Sequence, residues 1–529
     1  MGEAISPSDC GALQSMPTES DHLNAIGWTC IDSIKAPDVQ EHAAQRITTR
    51  APILVPSEMD ISEVHDLEED RDQKDDDEKD NHELAVKRTQ TTNHDGVFGE
   101  ITEEGPNYRN VGFIGTAVLM AKSQIGLGIL SIPSAFNALG MVPGVICLLV
   151  ISGITTWSGY VIGTFKLNHR EVYGIDDAAG LIAGPIARWF LGAVFCVYWI
   201  FVSASGILGL SIGLNAVSTH GICTAGFAAI AAILGFSGSS IRTLGHITWL
   251  AWVGLPCILV AIMVVTIAVG VQDRPAAAPK TTLPWHSDFK LFGSPSFAEG
   301  IAGICNILFA FSGTPGFFAI VSEMRNPRQY AQALLVCQAG VTSIYLVIAC
   351  VVYYYCGSYV ASPALGSAGG LVKSISYGFA IPGLIVTSTI VTHIPAKYIF
   401  VRLLRGSRHL NRNTPTHWIC WLSCTGGITI IAYIISSTIP GFDALTSLIG
   451  ALLGTILCFQ PYGCMWIYDN WARGRHSSKS WLPMVCFSIF VIVIGSFLTV
   501  AGTYGTVLGV IVASGELSPF TCADNSNST

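Results

Sequence analysis

The sequence predicts an all-α polytopic membrane protein of about eleven transmembrane helices. Three observations lead there. Half of the 529 residues are hydrophobic and only 12% are charged, where soluble domains carry about 25% charged residues. From Val111 onward apolar runs recur, each close to the roughly 20 residues needed to span hydrocarbon. Two of them, Val111 to Leu139 and Phe297 to Val321, carry glycines and prolines where a spanning helix would want neither.

Residues 1–110 read as a disordered acidic cytoplasmic tail. They hold 25 of the 36 acidic residues and 9 of the 28 basic ones, including the runs Glu68-Glu69-Asp70-Arg71-Asp72 and Asp75-Asp76-Asp77-Glu78. Low hydrophobicity with like charges does not offset the entropy of ordering. The tail opens on no basic, apolar leader pattern, so no signal peptide is expected. It is either a plain solvated segment or a regulatory one whose Ser, Thr and Lys residues are modified.

The transmembrane domain, residues 111–511, divides into segments near 111–138, 143–165, 186–213, 223–240, 248–271, 297–321, 331–356, 377–399, 416–436, 444–468 and 483–511. The segment 223–240 is short and rich in Ala, Gly and Ser, and merging it with a neighbour would reverse the C-terminus. Residues 512–529 then form a short non-cytoplasmic tail. Orientation follows from basic residues in the short loops. With the N-terminus inside, inner loops carry Lys166, Arg170, Arg188, Arg242, Arg325, Arg328, Lys397, Arg402, Arg405, Arg408, Arg412, Arg473, Arg475 and Lys479, and outer loops only Arg274, Lys280, Lys290 and Lys373. Asn527-Ser528-Thr529 has the form of a glycosylation sequon on that outer tail, though a poor acceptor at the last residue. Most of the 16 cysteines lie in apolar segments, where they pack as small hydrophobes. Cys223, Cys356 and Cys522 fall near the outer face and could pair in some combination.

The first break lies at Gly126-Leu127-Gly128 with Pro133 after it, and the second at Ser312-Gly313-Thr314-Pro315-Gly316. Hydrocarbon offers free N–H and C=O groups no partners, so unwound backbone at that depth must line a cavity. A pair of such breaks points to a transport site. The plainer reading is two ordinary glycine-proline kinks.

The stretch Lys122-Ser123-Gln124-Ile125-Gly126-Leu127-Gly128-Ile129-Leu130-Ser131-Ile132-Pro133 resembles the first-helix signature of the amino acid/auxin permease family, within the amino acid–polyamine–organocation superfamily. Phe309-Ala310-Phe311-Ser312-Gly313, leading into Glu323-Met324-Arg325-Asn326-Pro327, resembles that family's sixth helix and following loop. The likeness covers roughly residues 106–511 and within the family is nearest to fungal neutral amino acid permeases of the N-system or methyltryptophan-resistance type. It implies the five-plus-five inverted repeat of the bacterial leucine transporter plus one extra helix, with helices 1 and 6 broken and the substrate at mid-membrane between helices 1, 3, 6 and 8. A free amino acid suits that place, because half-helix N-termini bring N–H groups to a carboxylate and C-terminal carbonyls meet an ammonium. The implied substrate-binding residues are Ser123, Gln124, Gly126, Leu127 and Gly128 of helix 1, Tyr198 of helix 3, and Phe311, Ser312, Gly313 and Thr314 of helix 6. Many family members carry a histidine where this chain has Thr314, so no histidine role carries over.

Lys122 is the most suggestive charge, since an ammonium inside a bilayer needs a partner or a task. In sodium-coupled relatives of this fold, carbonyls of this turn and hydroxyls of helix 8 hold a sodium ion. Lys122 could place its ammonium there, opposite Thr387, Ser388, Thr389 and Thr392, and an amine that exchanges its proton favours proton over sodium coupling. The plainer reading is a structural or snorkelling lysine. Glu323, Arg325 and Pro327 are expected in a gating or structural role, with Glu323 closing the inner end of helix 6 and pairing with Arg325 or Arg328. Glu299 and Asp443 open helices, where an acid suits the dipole, and His393 packs near the cytoplasmic end of helix 8 or relays protons. Ser203 and Ser205 line the cavity or bond across helices. Phe309, Phe311, Phe317, Phe318 and Trp199 could form an apolar subsite.

No carboxylate falls in the middle of a predicted helix, so neutral aliphatic and aromatic amino acids are the consistent substrates. The expected function is secondary active, proton-coupled symport of these amino acids by alternating access, with a receptor of the same fold or a vacuolar exporter as alternatives. The expected location is the plasma membrane, with the vacuolar membrane as the alternative. No phosphate-binding loop, His-Glu-x-x-His, paired-cysteine motif or nucleophile elbow is present, so no enzyme, cofactor or metal site is expected. Basic residues are spread over loops, which argues against nucleic acid. The partners are then the amino acid, the proton and the lipid bilayer.

Overall fold

The computed structural model describes residues 94–95, 99–100 and 111–526, apart from 243, 280–284, 408, 411–413, 440, 475–480, 517–518 and 521. The bulk of the acidic tail, the sequon at 527–529, Lys280, Arg408, Arg412, Arg475 and Lys479 lie outside the described residues. Within the N-terminal region, β1 (His94–Asp95) and β2 (Gly99–Glu100) form a small antiparallel ladder.

From Val111 the regular structure is helical, apart from one parallel bridge between Val111 and Met324. α1 (Phe113–Gln124) and α2 (Gly128–Leu139) form the first span. They are followed by α3 (Met141–Asn168), α4 (Ile175–Ser218), α5 (Thr224–Ser239) and α6 (Leu244–Val271). The sixth span joins α7 (Phe297–Phe311), a 3-10 turn at Thr314–Gly316, and α8 (Phe317–Ser322). α9 (Tyr330–Cys356), α10 (Gly370–Leu404) and α11 (Pro415–Thr438) come next. The tenth span is α12 (Phe442–Leu448), a π-helical stretch Ile449–Gly454, α13 (Thr455–Cys458) and α14 (Gln460–Gly474), and α15 (Trp481–Glu516) closes the chain.

Among the described residues nine helices are long and apolar enough to cross a membrane, ten when α1 and α2 count as one bent span. α5, at 16 residues, is the short eleventh segment. Five helices per half force the second half to run inverted relative to the first, and each half opens on a discontinuous span. Enclosure separates inner from outer helices. In the sixth span 89% of the apolar window is buried, whereas in α15 the share is 28%. The outer helices present Ile186, Trp189, Val271 and Val500 to their surroundings, as lipid contact requires.

Both breaks have local causes. α1 stops where Ile125 turns extended (φ −75°, ψ 96°), and α2 leaves it at 48°. α7 starts on a capping box, Ser296 with Glu299, and stops before Pro315, whose ring nitrogen has no proton to donate to a helical bond.

Several boundaries differ from the sequence expectation. α4 begins at Ile175 rather than near 186, because Gly184 (φ 82°) ahead of Pro185 joins a short polar leg to the apolar helix. α10 runs beyond the expected 377–399 at both ends, so Lys373 and Arg402 lie in the helix and not in loops. Arg402 pairs with Asp176 and Asp177, and Lys373 Nζ donates to Ser526 O. α15 runs to Glu516, beyond the expected 511.

The two ends of the bundle are fastened differently. At one, Cys223 is disulfide-bonded to Cys522, while Cys356 stays a free buried thiol. Around that bond Thr224 Oγ1 donates to Ala523 O (2.7 Å), Asn215 Nδ2 to Asn525 Oδ1 (2.9 Å) and Lys373 Nζ to Ser526 O (3.0 Å). At the other end Asp176 and Asp177 of α4 meet Arg188 and Arg402. There Glu323 pairs with Lys397 of α10, a partner from a distant helix. Val111 N donates to Glu323 O (3.2 Å) and Arg325 N to Val111 O (2.9 Å), which stitches the first span to the sixth.

Glu323 and Lys397 are 1% and 3% exposed, and removing one member of a buried pair strands the other charge. Glu323→Gln or Lys397→Met alone is expected to destabilise by about 3–5 kcal/mol, and the double variant by much less. Thermal unfolding of the purified variants checks this; equal and additive losses would refute the pairing.

Candidate functional site

The two breaks press against each other. A Cβ on Gly128 would sit 2.4 Å from Ala310 Cα, and one on Gly313 would sit 2.7 Å from Ser123 Oγ. Gly128 must be glycine because the Ala310 backbone approaches more closely than any side chain permits, whereas Gly313 packs against the Ser123 and Gln124 side chains. Beside this contact lies a small cavity, walled by the two breaks together with α4 and α10.

The broken ends expose main-chain polar groups at the cavity, and side chains satisfy some of them. Tyr198 Oη donates to Ser312 O, and Tyr345 Oη to Ala310 O (3.1 Å). Lys122 Nζ donates to Ile125 O (3.2 Å) and to Thr387 Oγ1 (2.6 Å). The N–H groups of Gly126, Leu127 and Gly313 have no hydrogen-bond partner among the described residues. Gln124, only 3% exposed, lacks a partner for both its amide oxygen and its amide nitrogen, and so does the indole N–H of Trp199. Each such unpaired buried group costs about 1–3 kcal/mol. The cavity thus has donors suited to a carboxylate and one side-chain amide, set in an apolar wall.

Of the residues expected to bind substrate, Ser123, Gln124, Leu127, Gly128, Tyr198, Ser312 and Gly313 line the cavity. Three do not. Phe311 turns its ring to Tyr345, with centroids 5.2 Å apart. Thr314 is buried and donates back to Phe311 O (3.3 Å). Gly126 faces Thr387, whose Oγ1 would lie 2.7 Å from a Cβ placed there. From the expected aromatic subsite Phe309 and Trp199 reach the wall.

Among the α10 hydroxyls only Thr387 bonds Lys122. Ser388 faces α4 and α5 instead, with its Oγ 2.7 Å from the position of a Cβ on Gly235, and Thr392 bonds Ser203 (2.6 Å). Successive helical residues point about 100° apart, so one residue in this run can face the lysine. Ser205 donates to Val202 O (2.8 Å), and His393 is buried with Nδ1 3.5 Å from Ser239 O. Val202 and Val391 also line the cavity and were not expected. Each lies four residues after a lining residue, Tyr198 and Thr387, which is the helical spacing that could have found them.

Residues 109–508 match the family described as "Transmembrane amino acid transporter protein". The chain belongs to that family. A "Transmembrane transporter" of Gibberella moniliformis is 37% identical over 81% of this chain and 91% of its own length. The "N amino acid transport system protein" of Neurospora crassa is 29% identical, over 81% and 93%. Among solved structures, a substrate-bound outward-open Na+-coupled sialic acid symporter aligns with a TM-score of 0.49 at 10% identity, covering 79% of this chain and 93% of that one. This member of the amino acid transporter family therefore carries its cavity where its two spans break.

A methyl group has no room at Gly128, where the neighbour is the Ala310 backbone. Gly128→Ala is expected to cut uptake of labelled leucine at least about tenfold, as overpacking against backbone costs ~1–3 kcal/mol or more. Gly153, with nothing within 4 Å of a Cβ, is the matched control, and Gly153→Ala should transport normally. Equal activity of the two variants would rule out the close contact.

Proposed function

We propose that the protein is a secondary active, proton-coupled symporter of neutral aliphatic and aromatic amino acids, working by alternating access. The observation that carries this reading is the position of Lys122. Its ammonium spans the first break and α10, through Ile125 O and Thr387 Oγ1, so its charge state bears on whether those two elements hold together. A charged ammonium offers three donors and a full charge to these oxygens; the neutral amine offers two donors and none. Proton exchange at Lys122 would then loosen and restore a contact that forms one wall of the cavity.

Selectivity for neutral substrates is supported by the wall itself. No charged side chain lines the cavity among the described residues, while Trp199, Phe309, Val202 and Val391 do. The zwitterion's carboxylate would take the amides near Gly126 to Gly128 and Gly313, its ammonium the carbonyl ends of α1 and α7, and Gln124 would pair with either pole. The name of the Neurospora crassa relative agrees with amino acid uptake.

We place the N-terminus in the cytoplasm and the protein in the plasma membrane. The cationic end with Arg188, Arg402 and Arg405 would face inward, as basic residues do. The Cys223–Cys522 bond would face an oxidising exterior. Imaging of a tagged copy separates plasma membrane from vacuole.

Proteoliposomes test the coupling. With an inward proton gradient, labelled leucine and phenylalanine are expected to accumulate, with a protonophore abolishing accumulation and replacement of sodium by choline leaving it unchanged. Lys122→Met should still bind leucine but lose gradient-driven accumulation. Sodium dependence, or a Lys122→Met variant that still responds to the proton gradient, would overturn the coupling assignment. Binding without any accumulation by the wild type would indicate a receptor.

A further inference from the structure

The C-terminal tail, over residues 520–526, is tied to four helices at once. Phe520 N donates to Ser437 O (2.9 Å) of α11, and the Phe520 ring lies 6.4 Å from that of Tyr433 on the same helix. Cys522 is bonded to Cys223, the residue that opens α5. Thr224 Oγ1 of α5 donates to Ala523 O, Asn215 Nδ2 in the last turn of α4 to Asn525 Oδ1, and Lys373 Nζ in the first turn of α10 to Ser526 O. The tail is thus fastened to the group α4, α5, α10 and α11.

The helix that leads into the tail is packed elsewhere. Toward its C-terminal end α15 lies on the sixth and tenth spans, with glycines at the contact. A Cβ on Gly502 would be 2.7 Å from Cys305 Sγ and 3.0 Å from Ala451 Cβ, and one on Gly505 would be 2.4 Å from Ile301 Cγ2 and 2.9 Å from Ala298 O. Close-packed surfaces have low compressibility and transmit displacement, so α15 follows α7. Between Gly505 and Phe520 the chain therefore passes from one group of helices to another. The two groups stand on different sides of the cavity: Phe309, Ser312 and Gly313 of the sixth span form one wall, and Tyr198, Val202, Thr387 and Val391 of α4 and α10 another. A motion that parts these walls at the disulfide end pulls on the tail. Cys522 and Ala523 are exposed, and hydrogen bonds at an exposed chain end open readily to water. A covalent bond holds under the same pull.

We infer that the C-terminal tail is a covalent strap, anchored by the Cys223–Cys522 bond, that limits how far α15 and the sixth span separate from α4 and α10 at that end of the bundle. The hydrogen bonds of residues 520–526 set where the strap lies, and the disulfide sets its length. The inference rests on the alternating-access reading only for the motion that is restrained; neither the substrate nor the coupling ion has a part in it. A strap acts through its length, whereas a bond that merely braces neighbouring helices does not, and that difference is measurable.

In the full chain in lipid nanodiscs, a donor–acceptor dye pair is carried on p-acetylphenylalanine in place of Phe297 and Leu371, which are 61% and 77% exposed at the starts of α7 and α10. Reducing the bond with a phosphine should enlarge the long-distance population at least about twofold. A flexible Gly-Ser insertion of about twelve residues after Glu516, with the bond intact, should do the same. A distribution unchanged by both would overturn the strap. So would one that responds to reduction and not to slack, because the bond would then only brace α5 against its neighbours. Cys522→Ser is expected to match the reduced wild type; should that variant fail to fold, the reduced wild type and the insertion decide the matter. The distances need no substrate, so a protein that moves no amino acid would count against the transport reading and leave this test standing.

Discussion

Everything in this structure depends on satisfying main-chain polar groups at a depth where lipid cannot. Breaking a spanning helix frees N–H and C=O groups, and hydrocarbon gives them no partner. The chain breaks two spans and brings the breaks into contact at Gly128 and Gly313, so the freed groups face each other and a shared cavity. Tyr198, Tyr345 and Lys122 take up carbonyls. The amides left over, at Gly126, Leu127 and Gly313, have no hydrogen-bond partner among the described residues.

Buried charge is organised around the same breaks. Lys122 holds the first one to α10, Glu323 at the end of the sixth span pairs with Lys397 further along α10, and Asp176 of α4 pairs with Arg402 beyond that. One helix thus collects three contacts, at positions 387, 397 and 402. A charged contact in a low-dielectric interior is either well made or costly. The disulfide end is fastened covalently and by hydrogen bonds, one of them from the Lys373 ammonium to Ser526 O.

What was legible in the sequence was what has a local cause. Glycine and proline inside an apolar run announced both breaks, and a lysine inside such a run announced a buried partner, found as Thr387. The eleven segments followed from run lengths, and the inverted halves from the family resemblance. Pairings between distant elements were not legible: Lys397 looked like a loop cation until Glu323, 74 residues away, came to meet it, and Asp176 with Arg402 gave no signal at all. Facing was equally hidden. Phe311 and Thr314 sit in the right segment yet turn to α9 and to their own backbone, because a break resets the helical phase that spacing arguments rely on. The disulfide could be narrowed to three cysteines but not assigned, since pairing depends on where the C-terminal tail folds back.

We propose that the paired breaks grip both poles of a zwitterion. Competition against labelled leucine by analogues lacking one pole tests it most directly. Leucinamide, without the carboxylate, and isocaproate, without the ammonium, should each compete at least about a hundredfold more weakly than leucine, as expected when charge-assisted hydrogen bonds of ~1.5–3 kcal/mol apiece are lost. Leucinamide competing as well as leucine would contradict the account, because the free amides at the breaks would then have no part in holding the substrate.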